Sequence, residues 1–219
     1  MSIARDERLF EARYDIATAA RLIHMNPSTL RNWAHGTRGF QSVLELPQRG
    51  FLSFINLTEA YVLYAMRRRY EIALPRVRTA IDYVEQQMGV EHPLAFQQFT
   101  TDKVDLFVET AAGNVNASKR GQLRNAALLA LERIEWQGGR PIALFPVLRE
   151  SDESRPVRIS PFVAFGNPVI TGTRIPTKIV WQRFHAGESI EELAGDYRIE
   201  KEKIEEAVRA ESLESETAA

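Results

Sequence analysis

Ser28, Thr29, Arg31 and Asn32 are of the types that read nucleic-acid bases, and their spacing puts them on one arc of a short helix. Arginine grips the O6/N7 edge of guanine with two hydrogen bonds, and asparagine does the same at N6/N7 of adenine. Hydroxyls reach base or phosphate, and each good bidentate pair gives about 1–3 kcal/mol of discrimination. Leu30 and Trp33, three apart in the same stretch, take the opposite, core-facing side.

The frame for these groups runs from Asp15 to Trp33. Ile16, Ala19, Ala20 and Ile23 recur at helical spacing, and the small alanines let another helix approach closely. This first helix should stop near His24 or Met25. Asn26 can cap the orphan amides of the next helix, and Pro27 in a first turn sacrifices no hydrogen bond, so the second helix should run from about 27 to 34. Two short helices around a tight turn with polar groups outward form a helix-turn-helix for the major groove. An ordinary helical hairpin with a solvated polar face is the competing reading, and the residues alone leave both open.

Charge is divided along the chain. Residues 1–80 carry 12 arginines against 7 acidic residues, and residues 81–219 carry 16 basic against 22 acidic, within a net charge of −1. The basic end holds the helix-turn-helix and contains no lysine, the first being Lys103. Guanidinium is the better group for forked contacts to phosphate and guanine. Arg31, Arg38, Arg49 and the Arg67-Arg68-Arg69 run form the expected footprint, although an arginine run is often a solvated face.

The chain has 219 residues, 44% hydrophobic and 26% charged, enough for one large or two to three small globular domains. Its lack of cysteine excludes disulfides, thiolate zinc sites and cysteine nucleophiles. No apolar run approaches the roughly 20 residues of a membrane span, and the first seven residues lack a signal peptide's apolar centre, so a cytoplasmic protein that contacts no membrane is expected. Histidines at 24, 35, 92 and 185 have no metal-ligand spacing, and no phosphate-cradling glycine loop or nucleophile signature occurs. The expectation is no enzyme, no cofactor and no metal.

The remaining elements follow from pattern. A glycine-rich exit after Trp33, an irregular stretch to Gly50 and a strand at 51–54 give a winged variant, with Thr37, Arg38 and Arg49 as wing contacts to the phosphate backbone. Asn56 with Glu59 reads as a capping box for a helix over 57–70, and another helix opens at Pro75 and breaks at Gly89. Residues 95–109 read as two strands around a tight turn, 121–136 as an amphipathic helix ended by Gly138-Gly139, and 141–148 as a strand. The polar run from Glu150 marks a boundary. Beyond it, helices are expected at 176–186, 190–194 and 201–210, with Ser189 and Glu192 as a capping box.

The expected fold is therefore mainly α with a small α/β middle part. It comprises an N-terminal winged helix-turn-helix domain (1–90), a central segment of β-hairpin or strand plus helix (91–150), and a C-terminal trihelical, homeodomain-like module with a mobile acidic tail (151–219). Its last helix carries Glu200, Glu202, Glu205 and Glu206, which phosphates repel. A protein partner or self-association therefore suits that module better than DNA.

The run from Gly166 to Pro176 (Gly-Asn-Pro-Val-Ile-Thr-Gly-Thr-Arg-Ile-Pro), with Ala186-Gly-Glu-Ser-Ile-Glu-Glu-Leu-Ala194 and Asp196-Tyr197, resembles the bacterial domain of unknown function four-three-three. Residues 14–22, Thr29 to Trp33 and Leu52 to Ala60 resemble the MerR-like head of long VapB-type antitoxins that carry this module. The resemblance implies a type II toxin–antitoxin system. Its antitoxin binds and neutralises a PIN-domain ribonuclease toxin and represses its own operon on double-stranded DNA, here as an expected homodimer. Such toxins hold magnesium with carboxylates, so a cation entering that site could displace the metal; Arg174, beside Thr173, is the candidate toxin contact. The blander reading has Thr173 and Arg174 tie their loop to the next helix. A MerR-like regulator whose 95–148 segment binds a small effector is the alternative function.

Overall fold

The computed structural model describes all residues except 1–5, 40, 69–71, 90, 98, 100–102, 114–115, 148–153 and 217–219, and of 213–216 only the backbone. It is mainly α, with nine α-helices among the described residues and three antiparallel strand pairs. A 3-10 turn at Glu7–Leu9 leads into β1 (Tyr14–Asp15), α1 (Ile16–Leu22) and α2 (Pro27–His35). After an irregular stretch, β2 (Phe51–Leu52) pairs with β1, matching Tyr14 to Leu52. Then come α3 (Phe54–Arg67), α4 (Leu74–Met88), a 3-10 turn at Pro93–Ala95, α5 (Val104–Ala112) and α6 (Ala117–Leu131). The β3 (Ile134–Gln137) and β4 (Arg140–Leu144) hairpin, the β5 (Val157–Arg158) and β6 (Val169–Ile170) pair, α7 (Thr177–His185), α8 (Ile190–Tyr197) and α9 (Lys201–Glu216) complete the chain.

The centre of the molecule is α3. Residues 54 to 63 are buried on every side, including Asn56, Thr58 and Glu59, as expected of a helix enclosed by others. Each polar group in that stretch is satisfied. Asn56 Nδ2 donates to the Glu45 carbonyl at 2.9 Å, Thr58 Oγ1 donates to the Phe54 carbonyl at 2.9 Å, and Glu59 Oε2 lies 2.9 Å from His92 Nδ1. Around α3 one continuous core runs from Leu9 to Ile159, and a second, smaller one (Ile170, Val180, Leu193, Ala194, Ile204, Ala207) holds the C-terminal helices together.

Several elements differ from expectation. Residues 104–109, expected as strand, lie in α5: Val104, Phe107, Val108 and Ala111 are buried at a helical interval, which outweighs the short apolar/polar alternation that overlaps it. The turn expected at 102–103 falls partly on Asp102, outside the described residues. The helix expected to reach Trp136 ends at Leu131, because Ile134 and Trp136 alternate in β3. Gly138 and Gly139, with φ of 57° and 78°, turn a hairpin rather than stop a helix. Ser53, not Asn56, caps α3; Asn56 is the third-position partner of that capping box, and Glu59 faces His92 instead. Glu211, expected in the mobile tail, lies in α9, where its carboxylate accepts the Thr177 hydroxyl at 2.5 Å. The boundary expected from Glu150 falls largely on 148–153, outside the described residues.

Among the described residues no helix is long and apolar enough to cross a membrane.

The pair of Glu59 and His92 carries a pH dependence. Burial works to lower the His92 pKa, but the hydrogen bond to Glu59 and the negative charges of Glu59, Glu45 and Glu85 outweigh it, so the net shift is upward from 6.5. The group is more basic folded than unfolded, so its stabilisation is complete below pH 6.5 and is lost as pH rises through the raised value. Thermal melts between about pH 5 and pH 9 should show this loss in the unaltered chain and not in His92→Gln. His92→Ala, which leaves the buried carboxylate unpartnered, should cost about 3 kcal/mol at neutral pH.

Candidate nucleic-acid interface

The Asp15 carboxylate caps α1 by accepting the Thr18 amide at 2.8 Å. After Ile23 the chain reverses through His24, in the left-handed region at φ 52°, and the Met25 amide closes the turn onto the Ala20 carbonyl at 2.8 Å. Burial, and then the charge of Arg68, push the His24 pKa below its ordinary value, so this turn carries a neutral imidazole at pH 7. Asn26 Oδ1 accepts the Ser28 amide at 2.8 Å, and Pro27 opens α2.

The orientation of α2 is set by Trp33. Its ring is 1% exposed, its carbonyl accepts the amides of Val43 and Leu44 at 2.8 and 3.1 Å, and the Arg67 guanidinium sits 5.3 Å from the ring centroid. With Leu30 and Trp33 inward, Ser28, Arg31 and Asn32 are exposed and Thr29 is half-buried. The Ser28 hydroxyl already donates to Asn26 Oδ1 at 2.7 Å, so it serves the cap before any base. Arg31 and Asn32 are the longer, uncommitted groups of the arc.

Between α2 and β2 the expected wing is an irregular excursion. Its described part is fastened by the two bonds to Trp33 and by a bridge from Gln48 to Phe51, and β2 pairs with β1 rather than with a strand of its own loop. Thr37, Arg38 and Arg49 are all exposed on it.

The fate of the other arginines separates structural from available charge. Arg8 pairs with Asp6, Arg13 with Glu11, and Arg78 with Glu45 and Asp82. Arg76 donates to the Ala112 carbonyl and Arg67 Nε to the Ile72 carbonyl at 3.0 Å, while Arg21 and Arg68 also hold partners. Among the described arginines of residues 1–80, Arg31, Arg38 and Arg49 alone make no side-chain hydrogen bond or ion pair. All three lie on α2 and the loop behind it. Of the expected triplet, Arg67 is thus occupied in seating Trp33, and Arg69 lies outside the described residues.

In the C-terminal module the turn-rich string is self-supporting. Thr173 Oγ1 donates to the Ile170 carbonyl at 2.8 Å and accepts the Ile175 amide at 3.0 Å. Arg174 is exposed and makes no such bond among the described residues, so the loop is tied by Thr173 without it. Arg183 gathers Glu188 and Asp196 and lies over Tyr197, which accounts structurally for the Gly-Glu and Asp-Tyr pieces of the motif. Glu202 and Glu205 are exposed along α9, while Glu200, expected on that helix, is exposed just before its first residue.

Residues 157–209 match the family model described as Protein of unknown function (DUF433). Over 95% of its length the chain is 24% identical to the Putative antitoxin VapB45 of Mycobacterium tuberculosis, of which 99% is covered. The chain is similar to a long VapB-type antitoxin. It also shares its fold with the X-ray crystal structure of Rv2018 from Mycobacterium tuberculosis, at a TM-score of 0.69 and 21% identity over 90% of this chain and 98% of that one.

The head and the DUF433-like module meet at β1. Tyr14, buried, donates its hydroxyl to the Gly166 carbonyl at 3.0 Å, and Arg13 donates to the Phe165 carbonyl at 2.9 Å. Gly166 has φ 82°, and a Cβ there would lie 2.5 Å from the Tyr14 hydroxyl and 2.7 Å from Arg13 Cδ. Only glycine fits both the conformation and the approach. Gly166→Ala should therefore destabilise the chain by about 2 kcal/mol and raise amide exchange at residues 13–15, read by thermal melts and hydrogen exchange.

Proposed function

We propose that this chain is an antitoxin that neutralises a PIN-domain ribonuclease toxin and represses its own operon by sequence-specific DNA binding as a homodimer. The observation that carries the DNA part is the distribution of arginines: among the described residues of the head, those with internally unpaired side chains are Arg31 on α2 and Arg38 and Arg49 on the following loop. Guanidinium groups left in water beside an exposed asparagine suit a duplex, since they lose no internal partner on binding. Similarity to a putative antitoxin supports the toxin part. On this reading Arg31 and Asn32 read bases, Ser28, Thr29, Thr37, Arg38 and Arg49 hold phosphates, and two heads on one operator raise affinity through effective concentration.

Arg174 is assigned to the toxin: an exposed guanidinium on a loop that does not need it can pair with carboxylates that otherwise hold a metal ion. The net acidity of the last helix keeps the module off the duplex.

Gel shifts on the upstream DNA test the head. Arg31→Ala and Asn32→Ala should each remove about 1–3 kcal/mol of discrimination at particular base positions. Arg38→Ala should weaken all sequences alike and flatten the slope of log K against log salt by about 0.9. Equal affinity of the unaltered chain for operator and random DNA overturns the sequence-reading role.

Co-expression with the product of the gene beside this one, expected to be a PIN-domain nuclease, tests the rest. The unaltered chain should restore growth, and Arg174→Ala should capture the toxin at least tenfold more weakly, about 1.4 kcal/mol, with operator binding unchanged. Growth that this chain fails to restore overturns the antitoxin reading.

A further inference from the structure

Toward its C-terminus α3 borders a cleft of about 350 Å³, at the small end of the range that small-molecule pockets occupy. Its α3 wall is the stripe Tyr61, Tyr64, Ala65 and, at the C-cap, Arg68, spaced by three and four residues. The facing wall is a stripe of the same spacing on α6, from Gln122 through Asn125 and Ala126 to Leu129 and Ala130. Alanine on both walls leaves the middle of this trough open.

The two ends of the trough differ in chemistry. The Tyr61 hydroxyl is bonded to the Val147 backbone and feels the charge of Arg133, just beyond α6, so Tyr61 marks the end that holds Leu129 and Ala130. Burial pushes that hydroxyl up to about 12, and the end as a whole is uncharged and largely apolar. Arg68 lies two turns further along α3, about 10 Å, and its charge acts on His24. His24 is neutral and half-buried, and its imidazole makes no hydrogen bond among the described residues. Gln122 and Asn125 bring exposed, uncommitted carboxamides to the same end. Arg68 already holds an internal partner, and its five donors serve a second. None of the described residues lining the cleft is acidic.

We propose that this cleft binds a small aromatic carboxylate, with the ring against Tyr61, Tyr64 and Leu129 and the carboxylate taking hydrogen bonds from Arg68, His24, Gln122 and Asn125. A flat ring suits a slot walled by alanine and tyrosine. A carboxylate suits an end that offers one cation and three neutral donors with no competing acid. A pure hydrocarbon would leave those donors unpaired, and a ringless anion would leave the Tyr61 end unfilled. His24 is also the left-handed residue of the turn that leads into α2, so the bound carboxylate touches the helix-turn-helix itself. The site goes beyond the toxin, operator and dimer readings and depends on none of them.

Calorimetric titration of the full chain with phenylacetate, 1-naphthylacetate and the uncharged phenylacetamide and 1-naphthylacetamide tests it. At least one carboxylate should bind with a dissociation constant below about 1 mM, and its amide at least tenfold more weakly. Gln122→Glu and Asn125→Asp put a like charge at the polar end on exposed side chains that hold nothing else. Each should weaken the carboxylate at least tenfold, leave the amide unchanged and leave the melting temperature of the free chain where it was. Ala126→Leu, which fills the middle of the trough, should remove binding of acid and amide together.

Failure of both carboxylates to bind overturns the site. Equal affinity for acid and amide, or a carboxylate affinity unmoved by both Gln122→Glu and Asn125→Asp, overturns the anionic head. Binding that survives Ala126→Leu undiminished places the ligand elsewhere and overturns the cleft. No arm of the experiment uses DNA or toxin, so each outcome is separate from the fate of the proposed function.

Discussion

Burial of the Trp33 indole determines which way α2 is turned, and the outward chemistry of the head depends on that. The ring is enclosed, its carbonyl takes two amides from the following loop, and a guanidinium lies near its face. Rotating α2 by one residue, about 100°, would expose the largest side chain of the helix and bring Asn32 toward the core. Removing an enclosed tryptophan costs about 3–5 kcal/mol, far more than the polar face could recover in water. Arg31 and Asn32 are outward because Trp33 is inward. Arg38 is positioned by the same residue at one remove, since its loop is fastened to the Trp33 carbonyl.

Charge in the head follows a division of labour. Arginines that hold the fold together have carboxylate or carbonyl partners, and those partners are often close in sequence, as Asp6 is to Arg8 and Asp82 to Arg78. Exposed ion pairs of this kind add little stability, but they cancel local potential. Among the described arginines of the head, those whose side chains hold no hydrogen bond or ion pair lie on one helix and one loop. The −1 net charge hides an uneven distribution along the chain, and local distribution rather than the total is what steers a polyanion.

Much of this was legible in the residues. Asn26-Pro27 placed the start of α2, Ser189 and Glu192 formed the capping box that begins α8, and Gly89 in the left-handed region ended α4, each because a backbone group at a helix end needs one particular side chain or freedom. The middle was harder. Val104 to Val108 and Ile134 to Trp136 each fit two periodicities over so few residues, and neighbours distant in sequence decided between them. Pairing was harder still. That Arg67 serves Trp33 while the Arg31 side chain has no partner is a fact of three-dimensional proximity.

The shortest element of the head is also its most crowded. Tyr14 bonds the C-terminal module, Asp15 holds the first turn of α1, and both residues pair with β2. One strand step, about 3.3 Å of chain, separates the joint to the module from the start of α1. Such a joint leaves little slack: the heading of the module relative to α1 follows from neighbouring residues of one strand instead of from a tether free to swivel.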